Sequence, residues 1–132
     1  MGREILFRGK RKSDGEWIEG YYQKRYDSFE NIQHLIFWAK SSTVWEYAEV
    51  DPETICQYTG YTDLRKKKAF EHDIIFYEDG QCHGHIVFKE GCFLIEWEEE
   101  KPDLRRDIHF WFTERRAYVV GNVFDNPELL NQ

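Results

Sequence analysis

The sequence predicts an all-β protein, and three observations carry that prediction. Short runs rich in Val, Ile, Tyr, Phe and Trp recur about every ten residues. Gly, Asp, Asn or Pro stands between them, where turns need these residues. Apolar spacing at a helical period is almost absent.

Taken in order, strands are expected at "EILFRG" (4–9), "EWIEGYY" (16–22), "HLIFWA" (34–39) and "TVWEYAEV" (43–50), with "KSDG" turning the first pair. "DPETICQYTG" (51–60) leads into "YTDLRKKKAF" (61–70), read as a polar connection. The second half gives "DIIFYE" (73–78), "HGHIVFK" (83–89), "CFLIEWE" (92–98), "DIHFWF" (107–112) and "AYVVGNVF" (117–124) as strands. Five short strands joined by tight turns can close into a small barrel, which removes exposed edges. "NPELL" (126–130) reads as one terminal helical turn. The division expected is an N-terminal β subdomain, 1–60, and a small barrel, 61–132, packed as one unit.

Composition sets outer limits. The chain has 132 residues, of which 41% are hydrophobic and 17% aromatic, enough for a small core and too apolar for disorder. Net charge is −7, all of it in the second half: residues 1–70 hold 12 Lys/Arg against 11 Asp/Glu, residues 71–132 hold 6 against 14. An acidic half is ill suited to phosphate and better suited to a basic partner or to plain solvation. "MGREILFRGK" lacks the apolar core of a signal peptide, and no run is long enough to cross a bilayer. Three cysteines without a CxxC pair read as reduced thiols in a cytoplasm.

The most metal-like stretch is "CHGHIVFKEGC", Cys82 to Cys92. Register decides its fate. With Glu90-Gly91 as a two-residue turn, Phe88 meets Phe93, Ile86 meets Ile95 and Gly84 meets Trp97 on one face. Lys89–Cys92, Val87–Leu94, His85–Glu96 and His83–Glu98 occupy the other. A one-residue slip would scramble this segregation. Cys92 then lies four strand residues, roughly 13 Å, from the position opposite His85. Cys82 points to the opposite face, so a Cys–His–His–Cys zinc site fails. What survives is a polar cluster of His83, His85, Glu96 and Glu98, which can be a His₂Glu₂ metal site, an acid–base site, or cross-strand ion pairs. Ion pairing is the simplest reading, and no cofactor is expected. A second tight turn at Asp79-Gly80 puts Ile74 opposite His85 and Phe76 opposite His83.

Other constellations carry less. Arg65–Lys68 can meet nucleic acid but sits in a connection, where a solvated loop is the simpler reading. Glu96, Glu98, Glu99 and Glu100 crowd beside a turn rather than across a cleft, as glycoside hydrolysis would need. Arg115-Arg116 reads as a hairpin tip. Ser13, Ser28, Ser41 and Ser42 stand outside any nucleophile elbow, and no phosphate-binding glycine loop is present.

Several phrases together resemble the YopX family of phage and prophage proteins. "REILFRGKR" is similar to its opening "REIKFR", "VDPETICQYTGYTD" to "ETVGQFTGLKD", "FEHDII" to "YEGDIV", and "VVGNVFDNPELL" to "VIGNIYENPELL". His72 replaces the glycine before Asp73, and "LRKKKAF" lacks the glycine common in that loop. The resemblance implies a C-terminal barrel like those of Src-homology-3 domains, a phage or prophage origin, and no established activity or catalytic residue to carry over. The expectation is therefore a cytoplasmic, non-catalytic protein-interaction module, with homo-oligomerisation open. Nucleic-acid binding is the first alternative, and an enzyme using the His83/His85/Glu96/Glu98 face the second.

Overall fold

The computed structural model describes residues 4–99, 104–114 and 117–130. Glu100 and Arg115-Arg116 lie outside these. The chain is mainly β, every strand pairing is antiparallel, and it divides into two compact units, 1–58 and 59–132.

The first unit holds β1 (Phe7–Lys10), β2 (Trp17–Tyr26), β3 (Ile32–Ala39) and β4 (Trp45–Glu49), in the order β4-β3-β2-β1. Its turns are set by side chains that satisfy backbone N–H groups. Asp14 Oδ1 accepts from Glu16 N at 3.0 Å in the first turn, and Asp27 Oδ1 accepts from Phe29 N and Asn31 N at 2.8 and 2.9 Å in the second. Alternation along β2 and β3 turns Gly20, Tyr22, Ile36 and Ala48 to one face and Tyr21, Phe37 and Tyr47 to the other. Leu6, Leu35, Ile36, Val50, Cys56 and Tyr58 are buried.

The stretch read as a polar connection carries more structure than expected. Asp51 caps a short 3-10 turn, Pro52–Thr54, by accepting from Glu53 N. A strand follows, β5 (Cys56–Thr62), pairing with β1 through Phe7↔Gln57 and Arg8↔Cys56 and running on into the second unit. There β6 (Lys68–Phe70) lies beside it, and Thr59 Oγ1 donates to Ala69 O at 2.8 Å.

The second unit is built on β7 (Asp73–Tyr77), β8 (Cys82–Lys89), β9 (Cys92–Trp97) and β10 (Ala117–Asn122), ordered β10-β7-β8-β9. One expected strand is a helix. Residues 108–113 form α1 (Ile108–Thr113), with Asp107 as N-cap accepting from Phe110 N. Its buried residues, Ile108, Trp111 and Phe112, are spaced i, i+3, i+4, the stripe of a helix rather than the alternation of a strand. The five-stranded barrel is corrected with it: among the described residues this sheet has four strands and ends at β9 and β10 without closing. α1 instead contributes to a core of Ile75, Cys82, Ile86, Ile95, Trp111, Ala117 and neighbours. The terminal turn expected at 126–130 is a 3-10 turn, Pro127–Leu130.

Two of the left-handed non-glycine residues bear on the YopX resemblance, one at the glycine position it implies and one in the loop that lacks its common glycine. His72 adopts a left-handed conformation (φ 71°), and so does Lys66 (φ 64°) in the 63–68 loop. Such a conformation crowds Cβ against the backbone and favours glycine. His72 is held there by its N–H on Ile86 O (2.8 Å) and its carbonyl accepting from Val123 N (3.0 Å).

Candidate functional site

The β8–β9 hairpin takes the register expected for it: Lys89↔Cys92, Phe88↔Phe93, Val87↔Leu94, Ile86↔Ile95, His85↔Glu96 and Gly84↔Trp97. Glu90 and Gly91 both have positive φ (53° and 81°), the signature of a type I′ turn. β7 sets Ile74 opposite His85 and Phe76 opposite His83. Gly84 is needed for the fit, since a Cβ there would stand 2.9 Å from the Trp97 ring.

His85 and Glu96 come together, His85 Nε2 lying 3.4 Å from Glu96 Oε1. Glu96 has two further cations that sequence reasoning missed. Lys89 Nζ hydrogen-bonds Glu96 Oε2, reaching past the Val87–Leu94 pair, and an Arg106 guanidinium nitrogen sits 3.8 Å from the same oxygen. Lys89 was legible in principle, being on this face of the hairpin. Arg106 was not, because the 104–107 segment reaches β9 only through the fold, with Ile95 N donating to Arg106 O at 2.9 Å.

His83 and Glu98 share a backbone bond, Glu98 N to His83 O at 2.9 Å, but the His83 ring packs against Phe76 with centroids 4.8 Å apart. Burial pushes the His85 pKa below the usual histidine value, outweighing the attraction of Glu96 and Glu98. The hydrogen bond from Lys89 holds the Glu96 carboxyl below its usual range. At neutral pH the pair is thus a neutral imidazole beside an ionised carboxylate. Among the described residues no three His, Cys, Asp or Glu side chains gather to hold a metal ion.

Cys56 and Cys82 are buried, while exposed Cys92 points its thiol at Lys89 O. Asp63 and Asp73 are buried carboxylates that the motif search overlooked. Both serve the backbone: Asp63 Oδ1 accepts from Arg65 N and Lys67 N, Asp63 Oδ2 from Val119 N, each at 2.9 Å, and Asp73 Oδ2 accepts from Phe70 N at 2.8 Å. In the basic loop, the Arg65 guanidinium lies 4.1 Å from the Tyr118 ring centroid.

The first unit offers a different surface. Tyr21, Phe37, Trp45 and Tyr47 form a cross-strand aromatic ladder on the outer face of β2–β3–β4. Tyr21 and Trp45 have centroids 5.8 Å apart, Phe37 and Tyr47 5.0 Å, and Arg25 lies 5.1 Å from the Tyr47 ring. Aromatics on a strand surface usually face a core; here Tyr21, Trp45 and Tyr47 are all exposed.

A family model described as YopX protein matches residues 6–131. The chain belongs to the YopX family. No curated protein matches it. Among solved structures, protein EF1440 from Enterococcus faecalis is similar, with 22% sequence identity and a TM-score of 0.60 over 98% of this chain and 99% of that one. At that identity the likeness concerns the fold. Among the described residues no helix of this YopX-family chain is long and apolar enough to cross a membrane.

Proposed function

We propose that this YopX-family protein is a non-catalytic interaction module, phage- or prophage-encoded and acting on a protein partner in the cytoplasm of a bacterial host. The observation that carries the reading is the aromatic ladder Tyr21–Trp45 and Phe37–Tyr47, of which Tyr21, Trp45 and Tyr47 are exposed. Contiguous exposed apolar surface of this kind marks interaction sites, and Tyr and Trp are enriched at them. The test is affinity capture of the tagged full chain from its host, compared with a Tyr21→Ser/Tyr47→Ser variant of unchanged circular dichroism. A partner retained by the wild type and lost by the variant supports the reading; no partner enriched over control sinks it.

The aromatic ladder with Arg25 at 5.1 Å from Tyr47 also favours a second reading, single-stranded nucleic acid stacking on the aromatic face. It requires affinity for an oligonucleotide that weakens steeply with salt, and absence of binding at low salt removes it.

A further inference from the structure

The two units treat their sheet edges differently. On β9, Ile95 N–H donates to Arg106 O at 2.9 Å and Leu94 bridges Asp107; on β10, Val119 N–H donates to the buried Asp63 carboxylate. β4 is covered only at its C-terminal end, where Arg11 bridges Val50 and Asp51 N donates to Lys10 O. Val50 N donates to His34 O and Lys40 N to Val44 O, so even-numbered residues of this strand turn their backbone groups toward β3 and odd-numbered ones turn outward. Glu49 O accepts from Lys12 N at 2.9 Å. The N–H and C=O groups of Trp45 and Tyr47 meet no partner among the described residues. The strand, Trp-Glu-Tyr-Ala-Glu, carries no proline or lysine, and its pairing with β3 has no bulge; these are the devices that usually protect an edge. Its outward residues are also the exposed aromatics, Trp45 at 54% and Tyr47 at 52%, continuous with Tyr21 at 52%.

We propose that β4 pairs antiparallel with β4 of a second copy of this chain about a two-fold axis, Trp45 lying opposite the partner's Tyr47. Among the described residues, the stretch with both backbone groups of each residue unpaired is two residues, Trp45 and Tyr47, and an identical stretch matches it. Two N–H and two C=O groups from each copy close into four hydrogen bonds, as a narrow antiparallel pair repeated by symmetry demands. The same register sets aromatic against aromatic and continues the ladder from one copy into the next. One element opposes it: Glu46 falls opposite the partner's Glu46 on the other face, its charge offset by Lys40 Nζ at 3.3 Å. Three half-exposed aromatics bury on the order of 100 Å² each. That is about 300 Å² per copy, against about 800 Å² per partner in a standard interface. The pairing is therefore weak.

This inference deepens the interaction reading and rests on it. Sedimentation equilibrium of the full chain from about 10 μM to about 1 mM tests it. The expected result is a mass rising from one chain toward two. Trp45→Lys and Tyr47→Lys should each raise the midpoint concentration about tenfold with unchanged melting, and Glu46→Gln should lower it several-fold by removing the like-charge pair. A one-chain mass throughout, self-association untouched by either lysine variant, or weakening by Glu46→Gln overturns the proposal. Should a lysine variant fail to fold, Glu46→Gln decides alone. A chain that stays monomeric yet captures a foreign partner through Tyr21 and Tyr47 would end the self-pairing and leave the broader reading standing.

Discussion

The second unit hides its largest aromatics and the first displays its own. Trp111 is 2% exposed, packed against Tyr77 and Trp97 with centroids 4.8 Å away in each case. The indole N–H groups of Trp97 and Trp111 both donate to Arg105 O, at 2.9 and 2.7 Å. Those rings could be buried because their polar tips find a partner inside. Tyr21, Trp45 and Tyr47 lie on strands, as Tyr77 and Trp97 do, but stand in solvent. The difference teaches that aromatic content alone does not predict a core. What decides is a covering layer, here α1 and the segment leading into it, with a carbonyl to receive the indoles.

The comparison can be broken most directly at Trp111. Trp111→Ala should cost about 3–5 kcal/mol of unfolding free energy, read by urea titration, because it opens a cavity among well-packed rings. Asp63→Ala comes next: three backbone N–H groups lose their acceptor, and a loss of about 2–4 kcal/mol is expected. His72→Gly should move the other way. Relief of its left-handed backbone is worth about 1 kcal/mol, partly offset by loss of the edge contact with Phe124 at 5.5 Å, so a small rise in melting temperature is expected. In the displayed set, Trp45→Ser should leave stability within about 0.5 kcal/mol when measured in dilute solution. A loss there as large as at Trp111 would erase the distinction between hidden and displayed rings.

The smallest effect is expected from pH. The unfolded chain protonates His85 near 6.5, and the folded state takes up that proton only at lower pH. This contribution is complete above 6.5 and declines as pH falls toward the folded value. Glu96, with its folded pKa lowered from 4.5, adds a loss of the same sign at more acidic pH. His85→Asn should flatten the slope of stability just below pH 6.5 and leave the acid-side loss in place, as read from urea midpoints across the range.

Much of the β7–β8–β9 meander was legible before any coordinates, because two-residue turns and a side-chain period of two fix register once the apolar face is known. His85 opposite Glu96 and Ile74 opposite His85 follow from that arithmetic. "DIHFWF" misled because a short apolar run fits strand and helix alike. Asp107 as a cap and the 108–111–112 spacing were the signals for the helix. β5 escaped notice because Gln57, Thr59 and Gly60 dilute its apolar pattern, and Gly60 at φ 92° is a residue that ordinarily weakens a strand. The cations on Glu96 were only half legible: Lys89 shares its hairpin, whereas Arg106 arrives from a segment that no local rule places.

The bond between Asp63 and Val119 spans 56 positions of sequence. On a ribosome, the carboxylate emerges long before the amide that will cap β10, and β7 must likewise wait for its neighbour. This half of the protein therefore cannot finish folding until β10 has been made, and a chain cut short upstream of β10 would carry a sticky flank instead of being a smaller version of the same molecule.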